Sequence, residues 1–155
     1  MADTRELILD RISDITMSEA TGAGIISCVR NRNLRTNEQR PACVLLDGDE
    51  TAKLVHDSRR KGRATMLTPQ VMIMRPELYI LLKEDRPNNY DIGPELNAKR
   101  LLIVKAIAED VPLVTLLGSN GSIVYNGCVT DLKSGSPLTG QMRLDFAYTY
   151  TFFPT

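Results

Sequence analysis

The last part of the chain alternates apolar and polar residues, and this pattern constrains the fold more than any other feature of the sequence. The apolar set is Met142, Leu144, Phe146, Tyr148, Tyr150 and Phe152, and the polar set is Arg143, Asp145, Thr149 and Thr151. A period of two places each set on one face of a β-strand. The segment 141–153 is therefore predicted to be a long strand with one buried face, which another layer has to cover.

Four further stretches are predicted to be strands, at about 24–30, 40–46, 69–83 and 122–132. Pro76 falls in the middle of the third. Because proline has no amide proton, we expect that strand to lie at a sheet edge, to carry a bulge or to be two shorter strands. The polar residues between the first two strands predict a long hairpin connection, and Asp47-Gly48-Asp49 predicts a turn. In the fourth strand, Ile123, Tyr125 and Val129 are predicted to share one face.

Two helices are predicted. The first covers Asp3 to about Glu19, where Leu7, Ile8, Ile12 and Ile15 form an apolar stripe. The second begins near Asp91 and ends before Pro112, and 111–117 adds a helical turn. This order of elements predicts an α+β fold: an antiparallel or mixed β-sheet of about four to five strands with two main α-helices packed on one face. We expect one domain over 1–155, with a long basic loop at about 51–69.

Composition limits the class of protein. The chain has 155 residues, of which 43% are apolar and 25% charged, and its formal net charge is zero. This is typical of a soluble globular domain and argues against a generally basic protein that coats DNA. No apolar run is long enough to cross a membrane, and the first residues do not resemble a signal peptide, so we expect no membrane partner. Cys28, Cys43 and Cys128 lack zinc-site spacing and are predicted to be reduced structural residues.

The sequence lacks the usual signs of an active site. His56 is the only histidine, and it lies in the basic stretch. Phosphate-binding, dinucleotide-binding and nucleophile-elbow motifs do not occur, and Asp47, Asp49 and Glu50 lack the ligand spacing of an EF-hand. We therefore predict that the protein is not an enzyme and has no catalytic residue, cofactor or metal. A small hydrolase with His56 as base is the weaker alternative.

A basic stretch is the main chemical anomaly of the sequence. Asp57 is its one acid, against five cations: Lys53, Arg59, Arg60, Lys61 and Arg63. Such a stretch can be a solvated loop, or it can contact a polyanion or an acidic patch of a partner. No aromatic residue stands among the cations, so a contact with DNA would be to phosphates and non-specific.

Self-association is the other predicted activity. A neutral chain has no net repulsion between copies, and the final run Phe146–Phe153 is apolar. We expect oligomers, although a buried last strand in a monomer would explain the same run. The residues predicted to form the subunit interface are Arg75, Glu77, Tyr79, Arg143, Asp145, Tyr148 and Tyr150.

The second half of the chain resembles a known family. The resemblance lies in Met74–Ile80 (MRPELYI), a helix with Asn97–Arg100 (NAKR), Leu117–Gly127 (LGSNGSIVYNG) and Gly140–Phe146 (GQMRLDF). In order and spacing these segments are similar to the tail terminator (tail completion, or minor tail) proteins of long-tailed bacteriophages. The resemblance covers about residues 70–153, and the first helix agrees in position.

The resemblance implies a structural virion protein without catalytic residues. It implies a homohexameric ring that caps the tail tube, stops the tube subunits from polymerising and docks to the head–tail connector protein. The tail tube protein and genomic DNA in the lumen are further expected contacts. The expected location is the head-proximal end of the virion tail, after assembly in the host cytoplasm. Alternatives are another neck protein, or a nucleic-acid-binding accessory domain that uses Arg59, Arg60, Lys61 and Arg63.

Overall fold

The chain folds into one five-stranded mixed sheet covered by helices, which confirms the predicted α+β class. A computed structural model describes residues 3–34, 40–53, 69–84, 92–133 and 138–153. The strands are β1 (Ser27–Arg30), β2 (Ala42–Ala52), β3 (Gln70–Glu84), β4 (Ser122–Lys133) and β5 (Leu138–Phe152). The helices are α1 (Thr4–Met17), α2 (Ile92–Glu109) and α3 (Val111–Leu117), and a 3-10 turn spans Glu19–Thr21.

The strand order is β1-β2-β3-β5-β4. β1 runs parallel to β2, with Ser27 beside Ala42 and Arg30 beside Leu45, and the other neighbours are antiparallel. The predicted hairpin between the first two strands is therefore wrong. A parallel pair needs a connection that returns the chain to the end at which the first strand began, and residues 31–41 connect β1 to β2.

β3 is one strand at the centre of the sheet, between β2 and β5, so of the three alternatives at Pro76 the edge strand and the two shorter strands are wrong and the bulge is confirmed. The missing amide proton is accommodated by an irregularity instead. The ladder between β2 and β3 shifts between Leu46 and Asp49, opposite Pro76. Bulges are the other place where a sheet accepts proline. The turn predicted at Asp47-Gly48-Asp49 is this bulge, and β2 continues through it to Ala52.

The core lies between the helices and one face of the sheet. Every second residue of β5 from Met142 to Tyr150 is buried in it, as the alternation predicts. The helices contribute apolar residues at helical spacing, namely Ile8, Leu9, Ile12 and Ile15 from α1 and Ile92, Leu96, Ile103 and Ile107 from α2. Asp3 begins α1 by accepting a hydrogen bond from the backbone N–H of Arg5 at 3.0 Å.

A second bulge changes which residues of β4 face the core. The ladder with β5 shifts between Tyr125 and Gly127, and Gly127 has φ +114°, which favours glycine. Ile123 and Tyr125 pack against the core as predicted, but Val129 points to the opposite face and is 52% exposed. The prediction for Val129 is wrong because one extra residue reverses the alternation.

Two further sequence predictions concern a membrane-spanning segment and the basic loop. No helix of the described ranges is long and apolar enough to span a membrane. Of the loop predicted at about 51–69, Thr51 and Ala52 belong to β2, and residues 54–68 lie outside the described residues.

Candidate association surface

One face of the sheet is not covered by any helix in the described part of the chain. We call it the outer face: it consists of the strand residues that point away from α1, α2 and α3. One row of it crosses all five strands, because the ladder registers align Val29, Val44, Tyr79, Arg143 and Val129. The next row contains Leu46, Glu77 and Asp145. The outer face is therefore mixed: its centre is charged, Val129 is exposed on one side of the centre, and Val29 and Val44 are buried on the other side.

Five of the predicted interface residues lie together on the outer face: Arg75, Glu77, Tyr79, Arg143 and Asp145. Arg143 donates to Asp145 through Nε at 2.9 Å and Nη2 at 3.2 Å. Tyr79 donates its hydroxyl to Glu77 Oε2 at 2.9 Å, and Arg75 Nη1 donates to Thr51 Oγ1 at 3.0 Å. Each polar group at the centre of the face is held in place by a neighbour.

The electrostatics follow from these pairs. Partial burial is the larger cause that raises the pKa of Tyr79, and the hydrogen bond to Glu77 is the second cause. The hydrogen bond to Asp145 raises the pKa of Arg143. Tyr79 and Arg143 therefore keep their protons at neutral pH and act as hydrogen-bond donors at the centre of the outer face.

The other two predicted interface residues, Tyr148 and Tyr150, are wrong. Both are buried in the core, at 0% and 1% exposure. The reason is the period of the strand: Tyr148 and Tyr150 belong to the same set as Met142 and Leu144, which faces the helices, whereas Arg143 and Asp145 belong to the other set.

Removal of the two hydroxyl groups is expected to have opposite effects on stability. Tyr148 has a buried hydroxyl with no hydrogen-bond partner in the part of the chain that the structure describes, whereas Tyr150 donates to Glu50 Oε2 at 2.6 Å. Tyr148→Phe should raise the free energy of unfolding by about 1 kcal/mol, and Tyr150→Phe should lower it by about 2 kcal/mol. Urea unfolding of both variants checks this, and equal effects would contradict the assigned contacts.

A shallow groove runs along the line where the bulges of the sheet meet. Its volume is ≈ 620 Å³, and its polar lining includes Asp47, Asp49, Arg75, Glu77 and Asn126. Sites for small molecules are usually enclosed and mostly apolar. The groove has both charged and apolar lining, including Leu46 and Phe146, and it adjoins the charged centre of the outer face.

The exposed edge at β4 is a feature that the sequence analysis did not identify. β4 pairs only with β5 and forms one margin of the sheet. No charged residue occurs from Ser122 to Thr130, and Val124, Val129 and Leu132 are 48%, 52% and 50% exposed. Exposed edges in monomers are commonly protected by charge or proline. A bulge is the only such device in this stretch of β4.

Arg30 joins three elements of the fold and was also missed. Its guanidinium donates to Asp47 at 2.7 and 2.8 Å and to Glu6 Oε2 at 2.9 Å, and Asp10 lies 3.5 Å away. These bonds lower the pKa of Asp47 and of Glu6. No local pattern indicates this cluster, because its members come from α1, β1 and β2.

Most residues predicted to contact a polyanion lie outside the described ranges. Lys53 is exposed next to the end of β2, but Arg59, Arg60, Lys61, Arg63 and His56 lie outside the described residues. The nucleic-acid contact and the catalytic alternative at His56 both stay predictions. In the described ranges, no group of three or more His, Cys, Asp or Glu side chains is placed to hold a metal ion.

Comparison with known proteins adds no identity to this geometry. No family model matches the chain, and no curated protein matches it.

Proposed function

We propose that the chain is a structural subunit that associates with further copies of itself into a ring, expected to have six members. The ring caps the tail tube of a long-tailed phage and joins it to the head connector. The observation that carries the proposal is the outer face, where Glu77, Tyr79, Arg143 and Asp145 form a fixed charged centre that no described helix covers. The family resemblance of residues 70–153 supplies the phage context.

The proposed mechanism is capping by shape, without bond-making chemistry. A ring closes when one heterologous contact is repeated and its rotation returns to the start. One side of the closed ring fits the end of the tube. The other side does not offer the surface that a further tube subunit would need, so the stack ends there. The uncharged edge of β4 and the outer face give each subunit two different surfaces for such contacts.

Charge reversal at the centre of the outer face tests the proposal. Arg75 is exposed and its only described hydrogen bond is to Thr51, so the fold should tolerate Arg75→Glu with a loss below about 1 kcal/mol. Association should weaken by roughly 100-fold, because a misplaced charge in a docked interface is repulsive. The matched control is Lys105→Glu on the exposed side of α2. Sedimentation velocity measures both; equal association of the two variants would contradict an interface on the outer face.

A further inference from the structure

The sheet has two edges, and neither pairs with a further strand in the described part of the chain. β4 forms one edge and β1 forms the other, since each is paired with a single neighbour. An edge strand presents a row of backbone N–H and C=O groups that a strand of another chain can pair with. One copy of the chain therefore offers two sheet edges of different sequence.

The two edges run in opposite directions. β1 is parallel to β2, and the direction reverses at each later step in the order β2-β3-β5-β4. Three reversals leave β4 antiparallel to β1. When copies stand side by side around an axis that runs along the strands, β4 of one copy meets β1 of the next in the antiparallel orientation. That orientation is slightly more stable per residue than the parallel one.

Apolar side chains are exposed at both edges. Val124, Val129 and Leu132 of β4 are about half exposed, and Ile26, which directly precedes β1, is 49% exposed. β4 also has no charged residue over 122–130, although edges that stay in water are commonly protected by charge. Both edges therefore gain from a contact that removes these side chains from water.

The charges beside the two edges are complementary. Beside β4, Arg100 of α2 donates to Cys128 Sγ at 3.9 Å and forms no salt bridge with any residue that the structure describes. Beside β1, the guanidinium of Arg30 contacts three carboxylates, those of Glu6, Asp10 and Asp47. A second guanidinium from a neighbouring copy would compensate this excess of negative charge.

We propose that β4 of one copy pairs with β1 of the next copy in the ring, so that the copies share one continuous sheet. This inference rests on the proposed function, because it assumes that copies associate, and it names the surface that the β4 edge meets. A repeated heterologous contact requires two different and complementary surfaces on one chain, and the two edges supply them.

One antiparallel register satisfies both the apolar and the charged groups. It places Val129 beside Val29 of the next copy, which continues the row of the outer face that both residues belong to. In the same register Cys128 lies beside Arg30, on the side of the sheet that the helices cover. Arg100, which contacts Cys128, is then next to the three carboxylates around Arg30.

Lysines placed at each edge of the full chain test the pairing. The β4 variant is Val124→Lys/Val129→Lys and the β1 variant is Ile26→Lys; all three positions are about half exposed, so the fold should tolerate both. Each variant should associate about tenfold more weakly or less in light scattering across a concentration series, because a lysine at an edge opposes a further strand. The matched control, Val111→Lys/Val114→Lys, changes two exposed valines of α3, away from both edges, and should associate as the wild type does.

An equal mixture of the β4 variant and the β1 variant distinguishes pairing of unlike edges from pairing of like edges. The mixture keeps an intact β4 edge on one kind of copy and an intact β1 edge on the other. It should therefore form particles of two subunits and nothing larger. Dimers formed by the β1 variant alone would mean that β4 pairs with β4, which overturns the proposal.

Hydrogen exchange of the wild type tests the backbone pairing without any substitution. Alternate amides of β4 point away from β5 and have no ladder partner in a single copy. The amides of 122–130 and of Ser27–Arg30 should therefore exchange about tenfold more slowly, or slower still, in the associated sample than in a dilute one. Unchanged exchange in either range of an associated sample overturns the pairing.

The outcomes separate this inference from the proposed function. If the wild type stays a monomer at every concentration, the proposed function fails and the strand pairing fails with it. If the wild type associates and the two edge variants associate equally well, only the strand pairing is overturned, and the contact between copies lies elsewhere.

Discussion

Gly48→Ala is expected to lower the free energy of unfolding by about 3–4 kcal/mol. Gly48 lies in the bulge of β2 with φ +67°, and a Cβ atom there would stand 2.0 Å from the carbonyl oxygen of Arg75 and 2.9 Å from its carbonyl carbon. Both contacts are with the backbone of the central strand, which cannot move away as a flexible side chain would. The substitution therefore has to separate β2 from β3 next to the groove, and urea unfolding measures the loss.

Gly22→Ala is the matched control for that prediction. Gly22 has φ +76°, almost the same backbone conformation, but nothing lies within 4 Å of the position of its Cβ. It should lose only the backbone contribution, about 1 kcal/mol. The difference between the two variants therefore reports the close approach of β2 and β3. Losses of the same size would mean that the bulge is not packed against Arg75 as described.

Arg30→Met is expected to lower the free energy of unfolding by about 2 kcal/mol, because it leaves Asp47 without its two charge-assisted hydrogen bonds. The loss is discounted for the partial exposure of the cluster. Arg30→Lys keeps the charge but not the planar fork that contacts Asp47 and Glu6 together, so it should recover only part of the loss. Thermal and urea unfolding of the three proteins measure this. A stability of Arg30→Met within 0.5 kcal/mol of the wild type, roughly the scatter of neutral surface changes, would contradict the role of the cluster.

The same cluster predicts a pH dependence. Arg30 holds the pKa of Asp47 below its usual range, so Asp47 stabilises the fold above its unfolded pKa, about 3.9. That stabilisation is lost as the pH falls through the lower pKa of the folded state. Between pH 5 and pH 2 the wild type should therefore lose stability more steeply than Arg30→Met. Parallel curves over this range would show that the two charges are not coupled.

The sequence predicted the elements of the fold well, because their signals are local. The alternation at 141–153 gave both the strand and the face of it that is buried. The apolar spacing of α1 gave Ile8, Ile12 and Ile15 correctly, but it was wrong for Leu7, which is 39% exposed. Both signals depend on residues within a few positions of one another, where the period decides the structure.

Topology was predicted less well, because it depends on contacts between distant residues. Pro76 indicated an edge strand, a bulge or two shorter strands, and only the pairing partners of β3 distinguish the three. Likewise, nothing local in 31–41 shows that β1 and β2 run parallel. The bulge at Gly127, which moves Val129 to the outer face, could not be located from alternation alone, since one inserted residue reverses every later position.

The candidate surface shows the same division between local and distant information. Arg75, Glu77, Tyr79, Arg143 and Asp145 were predicted to lie at an interface, and they do share one face. Tyr148 and Tyr150 were assigned to it on their apolar character, although their even positions in β5 place them in the core. The cluster around Arg30 needs three elements, α1, β1 and β2, to come together, which no spacing in the sequence reveals.

The most direct test of the central claim is the mass and shape of the purified full-length protein. Light scattering across a concentration series, with negative-stain imaging of the same samples, should give a species of about six times the 17.3 kDa subunit and particles with a central hole. A ring follows from repeated contacts between unlike surfaces of one chain. A mass that stays at 17.3 kDa at every concentration, with no annular particles, would contradict the account.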